Sequence, residues 1–284
     1  MNVLKYLKIT ILCENVVGKI TGIGEHGFSA FIETDSGSYL FDTGSGLSIL
    51  YNATIFKKDL RTIKKIFLSH GHYDHTGGLN HVLNIVSPVD VCCHPSVFDD
   101  KFKIINDNGK EYREFIGIPQ RQILLETKGA AFKFSKDFQE IEGGIFLTGE
   151  IPRLTHFEEH DKALFIKKGV TYEEDDVIDD QALILSTKRE VVVLLGCAHA
   201  GTINTLWHIA NNLKIETFYA VIGGTHLGPL TEEQLKYSID ILKQIDIKIL
   251  GVSHCTGLPA AQKLLHELGN KCTYASVGSV FEFS

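Results

Sequence analysis

The sequence predicts an α/β protein in which two mixed β-sheets pack face to face with helices outside. Three observations predict it. The first seventy residues are a succession of β-branched and aromatic runs broken by Gly-rich turns. From Gln181 onward, strand-like and helix-like segments alternate. The 284 residues are 44% hydrophobic and 22% charged, enough to bury a large core without a disulfide scaffold. Strands followed by βαβα alternation are the pattern of sheets covered by helices.

Lys8–Cys13, Ser29–Thr34, Ser38–Phe41 and Lys64–Ser69 read as strands, separated by turns such as Asp35-Ser36-Gly37. Leu79, Val82, Leu83 and Val86 share one helical face, which predicts a helix over Leu79–Val86. Asp90–Cys93 is a further short strand. Residues 95–180 are the least periodic stretch and read as loops, short strands and a variable insertion within a single domain spanning 1–284. Beyond them, Ala182–Ser186 and Val191–Leu195 predict a hairpin around Lys188-Arg189-Glu190. Three helices follow, Thr202–Asn211, Glu232–Gln244 and Ala260–Leu268, interleaved with strands Thr217–Ile222, Ile247–Val252 and Cys272–Val277.

Composition narrows the function. Twenty-eight basic against thirty-five acidic residues give a net charge of -7, which argues against nucleic acid, because phosphate contacts demand a basic footprint. The six cysteines form no CxxC pair, and Lys5 and Lys8 break the N-terminal apolar run. Both features predict a reduced, cytoplasmic protein. No stretch approaches the roughly 18 apolar residues of a span, so no membrane segment is expected, and the expected partner is a small-molecule substrate. Thirteen histidines beside one Trp and one Met are where the chemistry is to be sought.

One segment dominates: Ser69-His70-Gly71-His72-Tyr73-Asp74-His75-Thr76-Gly77-Gly78. It follows an apolar strand and precedes a helix. Three imidazoles and a carboxylate so close together make poor core filler, since each would need a buried partner. At an extended strand end His70 and His72 point the same way, so both reach one metal ion. Asp74 and His75 follow the turn and can reach a second. Imidazole and carboxylate suit Zn first, with Mn or Fe as alternatives. Two later strands end similarly, in Gly196-Cys197-Ala198-His199-Ala200-Gly201 and in Val252-Ser253-His254-Cys255-Thr256-Gly257. A third ends in Gly223-Gly224-Thr225-His226, where His226 reads first as a substrate-facing group that donates to a charged oxygen and second as a further ligand. Strand ends meeting helix N-termini are where α/β folds gather a site. His26, in the Gly22–Gly27 turn, reads first as a turn residue and second as part of a substrate loop. Glu173–Asp180 holds six acids in eight positions and reads as a solvated loop whose end leads into the site strands.

The His70–His75 segment resembles the HxHxDH motif of the metallo-β-lactamase superfamily at all four ligand positions. That resemblance implies an αββα four-layer sandwich and two divalent ions. It makes Asp42, in Phe41-Asp42-Thr43-Gly44, a group beneath the metals that orients their ligands, and His254 the last ligand of the second ion. His199 is taken as a further ligand beside His70 and His72. The metal set is then His70, His72, Asp74, His75, His199 and His254, with Asp74 and His226 as candidate catalytic groups. The superfamily's GHTxG turn is missing. The bridging ligand stays open among Cys197, Asp180 and none, with Cys197 disfavoured because His199 follows it at the same turn. Asp179-Asp180-Gln181, the Cys197–His199 phrase, Gly223–His226 and Ser253–Gly257 resemble one branch, the 7,8-dihydropterin-6-methyl-4-(β-D-ribofuranosyl)aminobenzene 5'-phosphate synthase type, over essentially the whole chain. The implied activity is a metal-dependent hydrolase using metal-bound hydroxide on a phosphate ester or diphosphate-bearing molecule. Alternatives are a pterin–arylamine synthase releasing diphosphate and a ligand-binding protein with a vestigial site.

Overall fold

The computed structural model describes residues 3–188 and 191–283. Met1 and Asn2 at the head of the N-terminal run, Arg189 and Glu190 at the turn of the expected hairpin, and Ser284 lie outside the described residues.

The first half runs β1 (Leu7–Cys13), β2 (Ser29–Thr34), β3 (Gly37–Phe41), α1 (Ile49–Ile55), β4 (Ile63–Phe67), α2 (Tyr73–Thr76), α3 (Leu79–Val86) and β5 (Val89–Cys93). Then come β6 (Lys101–Asp107), β7 (Lys110–Phe115), α4 (Gln122–Thr127), β8 (Ala130–Phe134), β9 (Gln139–Glu142), β10 (Ile145–Leu147), β11 (Leu164–Lys168) and β12 (Thr171–Glu174). The second half is β13 (Leu183–Ser186), β14 (Val191–Leu195), α5 (Thr202–Leu213), β15 (Thr217–Gly224), α6 (Glu232–Leu242), β16 (Asp246–Ser253), α7 (Gly257–Leu268), β17 (Cys272–Tyr274) and β18 (Val280–Phe283).

Among the described residues these strands form two seven-stranded sheets, ordered β18-β1-β2-β3-β4-β5-β8 and β17-β16-β15-β14-β13-β10-β9, and a separate four-stranded sheet β12-β11-β6-β7. Both large sheets are mixed. In the first, β3, β4, β5 and β8 are parallel neighbours; in the second, β14 to β17 are. The expected hairpin pairing holds, with Leu183 opposite Leu194.

Side-chain alternation builds four layers. Along β14, Val192 and Leu194 enter the core between the sheets, while Val191, Val193 and Leu195 face α5, α6 and α7. The inter-sheet core joins Ile9, Phe41 and Phe67 of the first sheet to Leu183, Leu194 and Ile222 of the second. On the far face of the first sheet, Leu79, Val82, Leu83 and Val86 of α3 cover Ile66 and Val91. Such doubly covered sheets permit the uninterrupted apolar run seen in β14.

The stretch 95–180 divides three ways: β8 extends the first sheet, β9 and β10 extend the second, and the rest makes the small sheet. The expected last strand stops at Tyr274, because Ala275 drops into the inter-sheet core. A further strand, β18, then crosses to the first sheet and pairs with β1, which the short Val280–Phe283 run did not announce. No helix among the described residues is long and apolar enough to cross a membrane.

The parallel strands β3 and β4 of one sheet and β14, β15 and β16 of the other bring their carboxyl ends to one rim. Close approach there needs glycine. At Gly223, φ is +130° and an added Cβ would lie 2.0 Å from the Leu195 carbonyl oxygen. Gly223→Ala should therefore cost about 3 kcal/mol or more by overpacking. Gly109, at the open β6–β7 turn with φ +78° and free space around it, should cost only about 1 kcal/mol on the same change. Urea unfolding of the two variants checks the ordering.

Candidate metal centre

The site begins with Asp42, which is fully buried at the end of β3 with φ +55°. Its Oδ1 accepts the Ser69 backbone N–H at 2.7 Å, and its Oδ2 accepts the Ser69 hydroxyl at 2.7 Å and His75 Nδ1 at 2.7 Å. One carboxylate thus ties the end of β4 to α2. Gly196 lets the end of β14 come against this group, since a Cβ there would meet Ser69 Oγ at 2.1 Å.

Two sets of ligand-type side chains converge above it. His70, His72 and His199 form one, with ring centroids 4.5 to 5.0 Å apart and His70 Nε2 3.0 Å from His72 Nδ1. Asp74, His75 and His254 form the other: His75 Nε2 lies 3.2 Å from His254 Nε2, and Asp74 Oδ2 lies 3.1 Å from His254 Nε2. The outer nitrogens assign the tautomers. His75 Nδ1 donates to Asp42, His254 Nδ1 to Asn15 Oδ1 at 2.9 Å, and His70 Nδ1 to Ser69 Oγ at 2.9 Å. In each ring the Nε2 lone pair then faces inward, the second-sphere arrangement that suits a metal-ligating histidine.

Cys197 lies between the two sets. Its Sγ groups within 4.8 Å with His70 and His199, and again with His75 and His254; it is 3.2 Å from His75 Nε2. Asp180 joins neither group. Its Oδ2 accepts the Ala200 N–H at 2.9 Å, while its Oδ1 is buried without a hydrogen-bond partner among the described residues. The reading that disfavoured Cys197 assumed one turn could not aim it and His199 inward together. Ala198 adopts φ +56°, and that left-handed residue swings both side chains to the same side.

His226, also left-handed at φ +51°, packs against His199 with centroids 4.2 Å apart and the rings tilted by 48°. Both its ring nitrogens are buried without a hydrogen-bond partner among the described residues, beside the Cys255 thiol. His26 is no plain turn residue. It leans over the rim, with Nε2 3.3 Å from Asp74 Oδ2 and its ring 5.0 Å from that of His254.

The electrostatics suit a cation. Burial and the surrounding imidazoles hold His70 and His199 well below the usual range, and burial takes His72 down to about 3; neutral imidazole is the ligating form. Burial works against charge at His75 too, but Asp42 and Asp74 outweigh it and raise it to about 9. The pocket therefore calls for positive charge at His75 Nε2, from a proton or a metal ion. Burial would raise Asp74, yet His75, His254 and His26 hold it well below the carboxylate range. Burial keeps the Cys197 thiol high and takes Asp180 up to about 6. Buried nitrogens of His72 and His199 without partners, and two Nε2 lone pairs facing each other, fit a bound cation in this cluster.

A cavity of about 530 Å³ opens on the cluster. It is lined by His72, Asp74, His199, His226 and His254, and by Lys103, Ile105, Glu114 and Ile116 from β6, β7 and the residue after it. A larger groove of about 890 Å³ between α6 and α7 is lined by surface charges such as Glu232 and Lys263, without such a cluster. Sequence reasoning missed Glu14, whose Oε1 accepts the His254 N–H at 2.6 Å, as well as Asn15 and Cys255. Glu14-Asn15 follow β1 as His70 follows β4, so a polar pair at a strand end was the available signal. The acidic Glu173–Asp180 loop is only half solvated: Asp175, Asp179 and Asp180 are buried.

Comparison with known proteins agrees with this geometry. The profile of the metallo-β-lactamase superfamily matches residues 22–160. The chain is 29% identical over 98% of its length to the 7,8-dihydropterin-6-methyl-4-(β-D-ribofuranosyl)-aminobenzene-5'-phosphate synthase of Methanocaldococcus jannaschii, covering 97% of that protein. It is 31% identical over 96% of its length to an uncharacterised protein of the same organism, covering 98% of it. Among solved structures, a metal-dependent hydrolase of the β-lactamase superfamily superposes with a TM-score of 0.80 at 27% identity, over 98% of this chain and 99% of the other.

Two measurements probe the centre. Asp42→Asn should weaken metal affinity by about 10- to 100-fold, as loss of an orienting carboxylate does; unchanged affinity would leave Asp42 as a turn residue. The Co²⁺-loaded protein should show an intense near-ultraviolet sulfur-to-metal band that vanishes in Cys197→Ala. Its absence from the wild-type spectrum would return the bridge to an oxygen ligand.

Proposed function

Because this chain belongs to the metallo-β-lactamase superfamily, we propose that it is a metal-dependent hydrolase of a small phosphate ester or diphosphate-bearing molecule, with a dinuclear centre. The observation that carries the reading is the pair of histidine groups, His70 with His199 and His75 with His254, that share Cys197 at the floor of an open cavity. His70, His72 and His199 would hold one divalent ion and Asp74, His75 and His254 the other, with zinc favoured by imidazole and thiolate. Such ions, when bound, supply Lewis acidity and lower the pKa of coordinated water.

The chain's own residues supply orientation and charge. Asp42, Ser69 and Asn15 fix the imidazoles by holding their outer nitrogens. Asp74 stays ionised at the cavity floor, where it can accept a proton, and His26 stands 3.3 Å away at the rim to receive or return it. His226, with two unpartnered nitrogens, is placed to donate to an anionic substrate oxygen. Lys103, the one lysine or arginine lining the cavity among the described residues, adds positive charge on the opposite wall. Ile105, Ile116 and Leu164 give the same wall an apolar surface for the organic part of the substrate.

A second reading, transfer rather than hydrolysis, draws support from the similarity to the archaeal synthase. The same cavity would then hold diphosphate as leaving group while an arylamine attacks. Product analysis decides: incubation of a pterin methyl diphosphate with an arylamine should yield free alcohol and diphosphate under the hydrolase reading. A C–N product would replace it with the transferase.

His70→Ala or His72→Ala should lose at least one equivalent of metal and all turnover while keeping the wild-type circular dichroism spectrum. Full metal content in both would end the ligand assignment. Lys103→Ala should raise KM for a phosphorylated substrate roughly tenfold with kcat little changed, the loss of one charged hydrogen bond; an unchanged KM would remove Lys103 from substrate binding.

A further inference from the structure

The four-stranded sheet contributes no member of the two ligand sets, yet it holds a lysine that is 1% exposed. Lys101, at the start of β6, lies 3.0 Å from Asp175 Oδ2 and 2.8 Å from Asp179 Oδ1. Burying an ammonium group is costly even when paired, and an apolar side chain of similar size would often serve packing better. Its use is seen one bond further on. The other oxygen of Asp179 accepts the Gly71 N–H at 2.7 Å, and Gly71 is the peptide between His70 and His72. Gly71 has no freedom on its other side, since a Cβ there would lie 2.2 Å from the Val97 carbonyl oxygen. A second tie runs in parallel. Tyr73 N–H donates to the Ile116 carbonyl at 2.9 Å, and Ile116 N–H donates to the Lys101 carbonyl at 2.9 Å.

We propose that Lys101 and Asp179 are positioning residues: through them the four-stranded sheet fixes the Gly71 peptide and so sets the affinity of the His70, His72 and His199 set for its ion. The inference rests on the metal reading above. The sheet that walls the cavity with Lys103 and Glu114 is thereby locked to the loop that carries the ligands. Its register against the cluster and the placement of His72 become one structural variable. Asp175 supplies an internal control. It pairs with the same lysine, but its Oδ1 accepts Val177 N–H at 2.8 Å within its own turn instead of reaching the ligand loop.

The test compares full-length wild type, Asp175→Ala, Asp179→Ala and Asp179→Asn, each stripped and retitrated with Zn²⁺ against a chromophoric chelator, alongside thermal unfolding of the metal-free forms. Both alanine variants should lower the metal-free melting temperature similarly. Only Asp179→Ala should weaken zinc binding by about 10- to 100-fold, as loss of an outer partner does, with Asp175→Ala within about threefold of wild type. Asp179→Asn, which keeps an oxygen for Gly71, should recover most of the affinity. Wild-type zinc affinity in Asp179→Ala, or equal losses in the two alanine variants, overturns the proposal. If Asp179→Ala does not fold, Lys101→Met carries the same comparison with the same two outcomes. A folded wild type that binds no zinc sinks the metal reading itself.

Discussion

A buried carboxylate with no lysine or arginine partner among the described residues is the constraint on which the rest of this site depends. Asp42 satisfies its charge with three hydrogen bonds, from the Ser69 backbone, the Ser69 hydroxyl and the His75 ring. Each bond fixes something different. The backbone bond sets where β4 stops, the hydroxyl bond passes orientation on to His70 through Ser69 Oγ, and the ring bond sets the tautomer and rotation of His75. Because the group is fully buried, none of these partners can be traded for water, and a missing one would leave a costly unsatisfied charge. The carboxylate also biases charge beyond itself: with Asp74 it overcomes the effect of burial on His75. A site that attracts cations is a consequence of how the end of β3 is folded.

The same rim stores backbone strain. Asp42, Ala198, His226 and His254 all have φ between +51° and +56°, each at or just past the end of a strand. For residues other than glycine this conformation costs on the order of 1 kcal/mol or more, and it persists only where surroundings over-determine it. Here they do. His254 is held by Glu14 at its N–H and by Asn15 at its ring, and Asp42 by its own triple acceptance. The geometric gain is common to all four: a strand that would run past the rim turns abruptly and points a side chain across the gap between the sheets. Strain at Ala198 brings Cys197 and His199 to the same cluster from one turn.

Much of this was legible in the residues. The β-branched and aromatic runs, the later strand–helix alternation and the helical face of α3 predicted the layers, and His70–His75 marked the site because four ligand-type side chains so close together have no economical core role. His254 and Asp42 needed the resemblance, since a lone polar residue at a strand end carries little signal. The spacing argument against Cys197 fails for a definite reason: its Sγ groups with both histidine pairs. Spacing predicts side-chain direction only if φ is ordinary, and Ala198 carries no mark of its left-handed backbone. Lys101 was invisible for another reason: nothing in Asp100-Lys101-Phe102-Lys103 marks a buried lysine, and only the approach of Asp175 and Asp179 from 74 and 78 positions away makes it one. The division of 95–180 among three sheets was equally beyond local pattern, because sheet membership is decided by non-local pairing.

The two ligand sets also bear on how the halves of the molecule are held together. His70, His72, Asp74 and His75 belong to the first sheet's connections, whereas Cys197, His199 and His254 leave the second. Neither half could assemble either set alone, so the sets exist only when the inter-sheet core of Phe41, Phe67, Leu194 and Ile222 has formed. A cation bound there would add its binding energy to that association, about 2.7 kcal/mol at a hundredfold excess over Kd. Folding energy and site chemistry are therefore linked at this seam. The small sheet acts from outside: Lys101 closes onto Asp179, and Asp179 holds the Gly71 peptide between His70 and His72.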